Sequence, residues 1–318
     1  MMRVRFPQVS AALLGPVAPL PARLCPTVEE CLGTGSLLLE RAGIETARLD
    51  AECLLAQVLV FPRWRLVVER RRRLTPGEFG RYLALLQRRE RRAPLAYLLG
   101  TREFWSLPLA VSTGVLVPRP ETETLVEAAL AAIREGRLGA AAGAPVILEL
   151  CTGAGGIAIA LARELPRAAV FATDISRRAL RMARENAKTH GVADRITFLR
   201  GDLWRALDGQ GAEGLADLVV SNPPYIPSTA IPGLMPEVQW EPRRALDGGP
   251  DGLQFHRAIV AGARQRLRPG GFLLLEIGAD QAESVTRLVE ESGDFEESRI
   301  VQDLAGRDRV VVARRRDD

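Results

Sequence analysis

Residues 146–150 are strand-forming and run directly into Cys151-Thr152-Gly153-Ala154-Gly155-Gly156, and a helical pattern follows over 155–165. A strand that turns into a helix through a glycine-rich loop opens a βα unit. Strand and helix signals then alternate. Strands are predicted over 169–173, 196–199, 218–221 and 272–277, and helices over 176–190, 252–267 and 279–292. Such repetition predicts an α/β fold with a mostly parallel, doubly wound sheet. Residues 297–301 and 310–313 read as a closing hairpin that adds an antiparallel strand.

The chain, at 318 residues, is too long for one ordinary domain. Its first part is helical. Thr27 precedes Glu29 and Glu30, a helix start, and Leu49, Cys53, Leu54, Ala56 and Leu59 recur at helical spacing. Thr75-Pro76-Gly77-Glu78 is an N-cap with proline in the first turn. Residues 27–92 therefore predict a small bundle of three to five helices. Phe104-Trp105-Ser106-Leu107-Pro108-Leu109-Ala110-Val111, followed by Ser112-Thr113-Gly114 and Val115-Leu116-Val117, reads as a β-hairpin. It makes 93–118 a linker to the sheet domain over 119–318. Residues 1–26 hold three arginines, five prolines and no acid, and read as a leader-like or disordered extension.

Charge is uneven. Through Pro118 there are 17 arginines against 10 acidic residues, a net of +7, whereas the remainder carries −3. A basic first third suits nucleic acid, a ribosomal factor, or a plain solvated face. No apolar run reaches the roughly 18 residues of a membrane span. Cys25, Cys31, Cys53 and Cys151 are scattered, and His190 and His256 are the only histidines. Neither a zinc site nor a disulfide framework is expected, which fits reduced thiols in the cytoplasm.

The glycine loop lets the backbone approach a ligand at a helix N-terminus. Gly153-x-Gly155-x-x-Ala158 fits the dinucleotide fingerprint, and Asp174 ends the next strand about 20 residues on, where an acid binds ribose hydroxyls. Loop and acid together predict an adenosine-type cofactor. They do not choose between a nicotinamide dinucleotide and S-adenosylmethionine.

Asn222-Pro223-Pro224-Tyr225 makes that choice. It follows the fourth strand, at the carboxyl edge where doubly wound sheets bind ligands. A planar NH2 beside a carbonyl or ring is a poor nucleophile because its lone pair is delocalised. Two acceptors, the Asn222 side-chain oxygen and the Pro223 carbonyl, hold its N–H groups and help the nitrogen pyramidalise toward a methyl donor. The prolines fix the turn, and Tyr225 offers a flat face to a planar amide or base. Neither histidine lies near, and none is needed.

On this motif the chain resembles the amino-methyltransferases that act on planar amides or exocyclic amines. Gly100-Thr101-Arg102-Glu103-Phe104-Trp105-Ser106-Leu107-Pro108-Leu109, Val117-Pro118-Arg119-Pro120-Glu121-Thr122-Glu123, Ala245-Leu246-Asp247-Gly248-Gly249-Pro250-Asp251-Gly252-Leu253 and Gly270-Gly271-Phe272-Leu273-Leu274-Leu275-Glu276 narrow the likeness. They resemble the bacterial peptide chain release factor glutamine N5-methyltransferases, from about Thr27 to the C-terminus. The resemblance implies a class I, Rossmann-like methyltransferase fold. It implies methyl transfer from S-adenosylmethionine to the glutamine of the Gly-Gly-Gln motif of class I release factors. By position, Cys151, Thr152, Gly153, Ala154 and Gly155 contact the cofactor, Asp174 its ribose, and Asp202 and Leu203 its adenine. Asn222 meets both the donor and the amide, with Pro223, Pro224 and Tyr225 completing the catalytic turn, and the helical bundle contacts the release factor. Two departures stand out. Cys151 replaces the family's usual glycine, where a left-handed backbone is strained, and Trp204 follows Leu203 where some relatives carry an aromatic one place earlier. An adenine-N6 methyltransferase acting on a flipped DNA or RNA base is the alternative with the same chemistry. A cofactor-holding module without activity and a nicotinamide oxidoreductase fit less well. A monomer with no membrane partner and no stable nucleic-acid partner is expected.

Overall fold

The computed structural model describes residues 25–135, 144–209 and 216–317. The expectation for the N-terminal extension thus lies, up to residue 24, outside the described residues. The chain divides into two compact units. One comprises Met1–Thr101 with Met235–Trp240, the other Arg102–Leu234 with Glu241–Asp318.

The first unit is helical: α1 (Val28–Arg41), α2 (Ala47–Leu59), α3 (Arg65–Val68), α4 (Pro76–Glu90) and α5 (Leu95–Leu99). Local chemistry fixes where two of these start. Thr27 with Glu30, and Thr75 with Glu78, form reciprocal capping boxes, the second with proline in the first turn. Leu39, Leu54, Leu55, Leu66, Tyr82 and Leu86 are buried in its core. At one edge of that core lies a charge cluster. Arg89, buried on α4, donates to Asp50 on α2 at 2.6 Å and to Glu237, from the segment Met235–Trp240, at 2.8 Å. Arg92 also holds Glu237. Burial opposes the Glu237 charge, but hydrogen bonds from Arg92 and Arg89 outweigh it and keep the carboxyl below its usual range.

The second unit opens with a hairpin of β1 (Thr101–Phe104) and β2 (Leu107–Ala110). Its turn is Trp105-Ser106, with φ of +53° and +55°. Residues 115–117, which the sequence reading made strand-like, are irregular instead. The tight two-residue turn lacks the usual Asn-Gly signal. It is held from elsewhere in the chain: the Trp105 N–H donates to Glu123 at 2.8 Å and its indole N–H to Glu164 at 2.9 Å. The hairpin is pinned further by buried Asn186, whose amide pairs with both the N–H and the carbonyl of Ala110.

A 3-10 turn, Pro120–Thr122, leads into α6 (Glu123–Glu135). The βα series follows: β3 (Val146–Leu150), α7 (Gly156–Glu164), β4 (Ala169–Asp174), α8 (Arg177–Thr189), β5 (Ile196–Arg200) and β6 (Ala216–Ser221). Then come α9 (Gln254–Arg266), β7 (Leu267–Glu276), α10 (Ala282–Glu291), β8 (Phe295–Gln302) and β9 (Asp308–Arg315). The seven strands lie in the order β5-β4-β3-β6-β7-β9-β8. The first five are parallel; β9 inserts antiparallel beside β7, and β8 pairs with it at the edge. One face buries α6 and α7, the other α9 and α10. The strand order reverses between β3 and β6, so the ligand crevice is expected at their carboxyl ends. Among the described residues no helix is long and apolar enough to cross a membrane.

The charge cluster makes a prediction. Arg89→Ala leaves Asp50 buried without its partner, at a cost of about 3–5 kcal/mol. Hydrogen exchange of the α2 and α4 amides in the full chain should report this loss, with the β3 and β6 amides unchanged.

Candidate active site

Strand register assembles the site. Leu150 on β3 pairs with Ser221 on β6, and Ser221 pairs with Leu275 on β7. Cys151, Asn222 and Glu276 therefore end three neighbouring strands at one level. The Ser221 hydroxyl donates to the Leu150 carbonyl at 2.9 Å and locks the first of these steps.

The loop after β3 is shaped from within. Thr152 is buried: its N–H donates to the Thr173 carbonyl and its hydroxyl to Glu149 at 2.7 Å. The Gly153 N–H donates to Asp174 at 3.0 Å, and the other Asp174 oxygen accepts from the Ser176 N–H at 2.7 Å. Cys151 takes φ +62°, the left-handed conformation, so the departure from glycine carries the strain the sequence implied. Its thiol is held well above the usual range, by burial first and by the Asp174 carboxylate next, so Cys151 is not a thiolate nucleophile.

Acidic groups gather around this loop. Asp174, Glu149 and Asp202 all bear on Cys151. Burial pushes the Glu149 carboxyl up to about 8, against hydrogen bonds from Thr152 and the Ala158 backbone, and its Oε1 has no partner. Burial also raises Asp174, opposed by the Ser176 and Gly153 N–H groups and by Arg244. Asp202 is exposed and precedes the 3-10 turn Leu203–Leu207. Leu203 has φ +44° and packs with Cys151 against the same core, whereas Trp204 turns to α9, where its indole donates to the Ala258 carbonyl at 2.9 Å.

The Asn222 turn is held on both sides. Asn222 is half-buried, and its Nδ2 donates to the Thr122 hydroxyl at 3.0 Å. Pro223 and Pro224 are buried. The Tyr225 carbonyl accepts from Gln281 at 2.9 Å, and its hydroxyl lies 3.4 Å from Glu276. Residues 245–253 brace the turn from below, with the Ile226 N–H on the Leu246 carbonyl and the Gly248 N–H on the Ile226 carbonyl. Burial and Glu276 raise the Tyr225 phenol, which stays protonated. Buried Glu241 accepts from the Val117 N–H at 3.1 Å and from Arg119 at 2.5 Å, tying residues 117–119 to the far end of the loop that follows Tyr225.

The structure thus brings residues 151–155, Asp174 and residues 222–225 to one carboxyl edge, with Asp202 and Leu203 beyond β4 on the same edge. Sequence reasoning passed over Thr122, Glu241 and Glu276. Thr122 and Glu276 stand in motif stretches whereas Glu241 does not, and an acid ending an apolar strand, as Glu276 does, was the available signal.

A sheet of this order, with such a loop and turn at its switch point, defines a class I, Rossmann-like methyltransferase. The model described as methyltransferase small domain matches residues 138–234, and that described as PrmC N-terminal domain matches residues 30–100. The release factor glutamine methyltransferase of Moorella thermoacetica is 43% identical over 92% of this chain and 100% of its own length. That of Geobacter sulfurreducens is 42% identical over 91% of this chain and 96% of its own. The solved protein-(glutamine-N5) methyltransferase (release factor-specific) of Alicyclobacillus acidocaldarius is 29% identical. The match covers 63% of this chain and 94% of that one, at a TM-score of 0.38. The chain belongs to the release factor glutamine methyltransferase family.

Two glycines of the loop should answer the same substitution differently. A Cβ on Gly153, at φ +57°, meets nothing within 4 Å and points into open space. Gly153→Ala should fold, at a cost of about 1–2 kcal/mol for the left-handed alanine. A Cβ on Gly155, at φ +86°, lies 3.0 Å from the Ala183 Cβ and 3.2 Å from its Cα. Gly155→Ala should push α7 from α8 and lower the melting temperature more than Gly153→Ala does. Calorimetry and thermal melts of both variants check this pair.

Proposed function

We propose that this chain transfers a methyl group from S-adenosylmethionine to the side-chain amide nitrogen of the glutamine in the Gly-Gly-Gln motif of class I release factors. The observation that carries the reading is the Asn222 turn standing beside the glycine loop in strand register. The residues present fit the cofactor. Gly153 leaves room above the loop, Glu149 Oε1 is a buried acceptor without a partner, and Asp174 stands at the loop's edge. Residues 149–156 include no lysine or arginine, and the Asp174 and Asp202 carboxyls lie beside them. That field favours a cationic ligand and disfavours the pyrophosphate of a dinucleotide. Residues 151–155 and Glu149 would hold the amino-acid part, Asp174 the ribose, and Asp202 and Leu203 the adenine. When bound, the cofactor supplies an electrophilic methyl group on a positively charged sulfur, so the acceptor nitrogen needs no strong base.

The chain's own residues prepare the nitrogen. With Nδ2 on Thr122, Asn222 turns Oδ1 the other way, to accept one amide N–H of the substrate; the Pro223 carbonyl accepts the second. Both hydrogen bonds strengthen as the nitrogen loses its resonance, so they favour the transition state over the ground state. Tyr225, a neutral phenol on a braced turn, gives the planar amide a flat wall. The helical unit is the part we assign to the body of the release factor. Val60, Trp64, Val67 and Val68 are exposed on it among arginines, an apolar surface of the kind that binds protein. The reaction belongs in the cytoplasm, where release factors work.

Labelled methyl donor offered with release factor, DNA and RNA separately tests the substrate. Label should enter the release factor alone and vanish when the motif glutamine is changed to glutamate, which has no NH2; label in DNA or RNA instead would support the adenine reading. Asn222→Ala should keep cofactor affinity and lose on the order of 10²–10³ in kcat, as removal of a preorganised polar group does. Single-turnover rates at saturating substrate check that loss.

A further inference from the structure

The Asn222 amide can turn either way about its last bond, and only one orientation gives the substrate an acceptor. What selects it lies outside the turn itself. Asn222 Nδ2 donates to Thr122 Oγ1 at 3.0 Å. Thr122 is 5% exposed and ends the 3-10 turn Pro120–Thr122 just before α6. Its hydroxyl in turn favours the charge of Glu276, a carboxyl that is 1% exposed and ends β7 at the level of Asn222. When Glu276 is ionised it only accepts, and the Thr122 proton is then directed to it. The hydroxyl then has only lone pairs left for Asn222. The reverse amide orientation would set Oδ1 against those lone pairs and leave a buried hydrogen bond unmade.

We infer that Thr122 and Glu276 are positioning residues, which act through Asn222 by fixing its amide with Nδ2 inward and Oδ1 toward the substrate. The same carboxylate lies 3.4 Å from the Tyr225 hydroxyl on Oε1, while Oε2 has no hydrogen-bond partner. Glu276 thereby serves both ends of the Asn222-Pro223-Pro224-Tyr225 turn from one point. The groups facing it are Thr122 before α6, Tyr225 after β6, and the charges of Arg309 on β9 and Glu121. The His256 ring on α9 meets its backbone carbonyl at 2.9 Å. Burial raises the Glu276 carboxyl to about 7, while Thr122, Arg309 and Tyr225 favour its charge. Holding the carboxyl there costs solvation.

The inference rests on the reading that Asn222 grips the acceptor amide, and a double-mutant cycle separates the two. Methyl transfer to purified release factor is measured for wild type, Thr122→Val, Thr122→Ser, Asn222→Ala and Thr122→Val/Asn222→Ala, with cofactor affinity by calorimetry. Thr122→Val keeps the shape and removes the hydroxyl. It should lower kcat by about tenfold to a hundredfold, the worth of a misdirected buried hydrogen bond, with cofactor affinity unchanged. Thr122→Ser should restore kcat to within about threefold of wild type, because it restores the hydroxyl. In the Asn222→Ala background, Thr122→Val should change nothing further, since there is no amide left to orient. If Asn222→Ala itself retains wild-type kcat, the reading beneath the inference fails. If Asn222→Ala collapses while Thr122→Val stays near wild type, or if Thr122→Val costs as much with Asn222 absent as with it present, the inference is overturned and that reading stands. Should the valine variant not fold, Thr122→Ala carries the same cycle with the same outcomes.

Discussion

One pairing register governs this active site. Ser221 sits between Leu150 and Leu275, and a parallel ladder admits no slip that leaves the faces of a fully buried strand intact. Every residue of β6 is buried, so its register is set by packing on both faces of the sheet. The consequence appears one residue later, where Cys151, Asn222 and Glu276 leave three strands side by side. The glycine loop, the Asn222 turn and a buried acid are thereby placed together by the ordinary burial of Leu148, Leu150, Val219, Val220, Leu274 and Leu275.

The groups around that row are arranged against their own solvation. Glu149 and Glu276 are fully buried carboxyls with raised pKa values, each with one oxygen lacking a partner. Cys151 and Leu203 hold left-handed backbone without being glycine. Each of these costs stability of order 1–3 kcal/mol, and all fall along one carboxyl edge. Elsewhere in the sheet unit, left-handed non-glycine backbone recurs among the described residues at the Trp105-Ser106 turn, while helices α6, α7, α9 and α10 cover apolar faces. Local cost concentrated at one edge of an otherwise consistent fold is where function is expected.

The alternation of strands and helices was legible because periodicity and burial agree from β3 to α10. The capping boxes at Thr27 and Thr75 were legible because they are local. The closing hairpin was read from two short runs, and β8 and β9 prove to be eight residues each. The first hairpin was not located correctly. Its turn at Trp105-Ser106 depends on Glu123 and Glu164, which lie 18 and 59 residues from Trp105. The Asn222 turn and the glycine loop were legible as motifs, since each is a short contiguous peptide with a chemical purpose. Thr122 and Glu276 were not, because Thr122 meets Asn222 across 100 positions of chain and Glu276 meets Tyr225 across 51, so only the tertiary fold joins them. Likewise, nothing local tells that Glu241, outside every recognised stretch, receives both Val117 and Arg119.

The glycine loop itself is ambiguous in any doubly wound sheet, because a helix N-terminus suits phosphate and carboxylate alike. What separates the two ligand classes here is the sign of the surrounding charge. A dinucleotide site must neutralise a pyrophosphate, and backbone N–H groups with a helix N-terminus do so best where acids are few. In this chain the Gly153 N–H is already spent on Asp174, and the Ser176 N–H with it. Glu149, whose carboxyl burial pushes up to about 8, stands beneath the loop and Asp202 beside it, so a polyanion would meet the Asp174 and Asp202 carboxylates and one opposing cation, Arg244. In the proposed reading, a ligand with an ammonium, a sulfonium and a pair of ribose hydroxyls would meet the same groups as partners. The loop's glycines make close approach possible, and the acids around it decide what approaches.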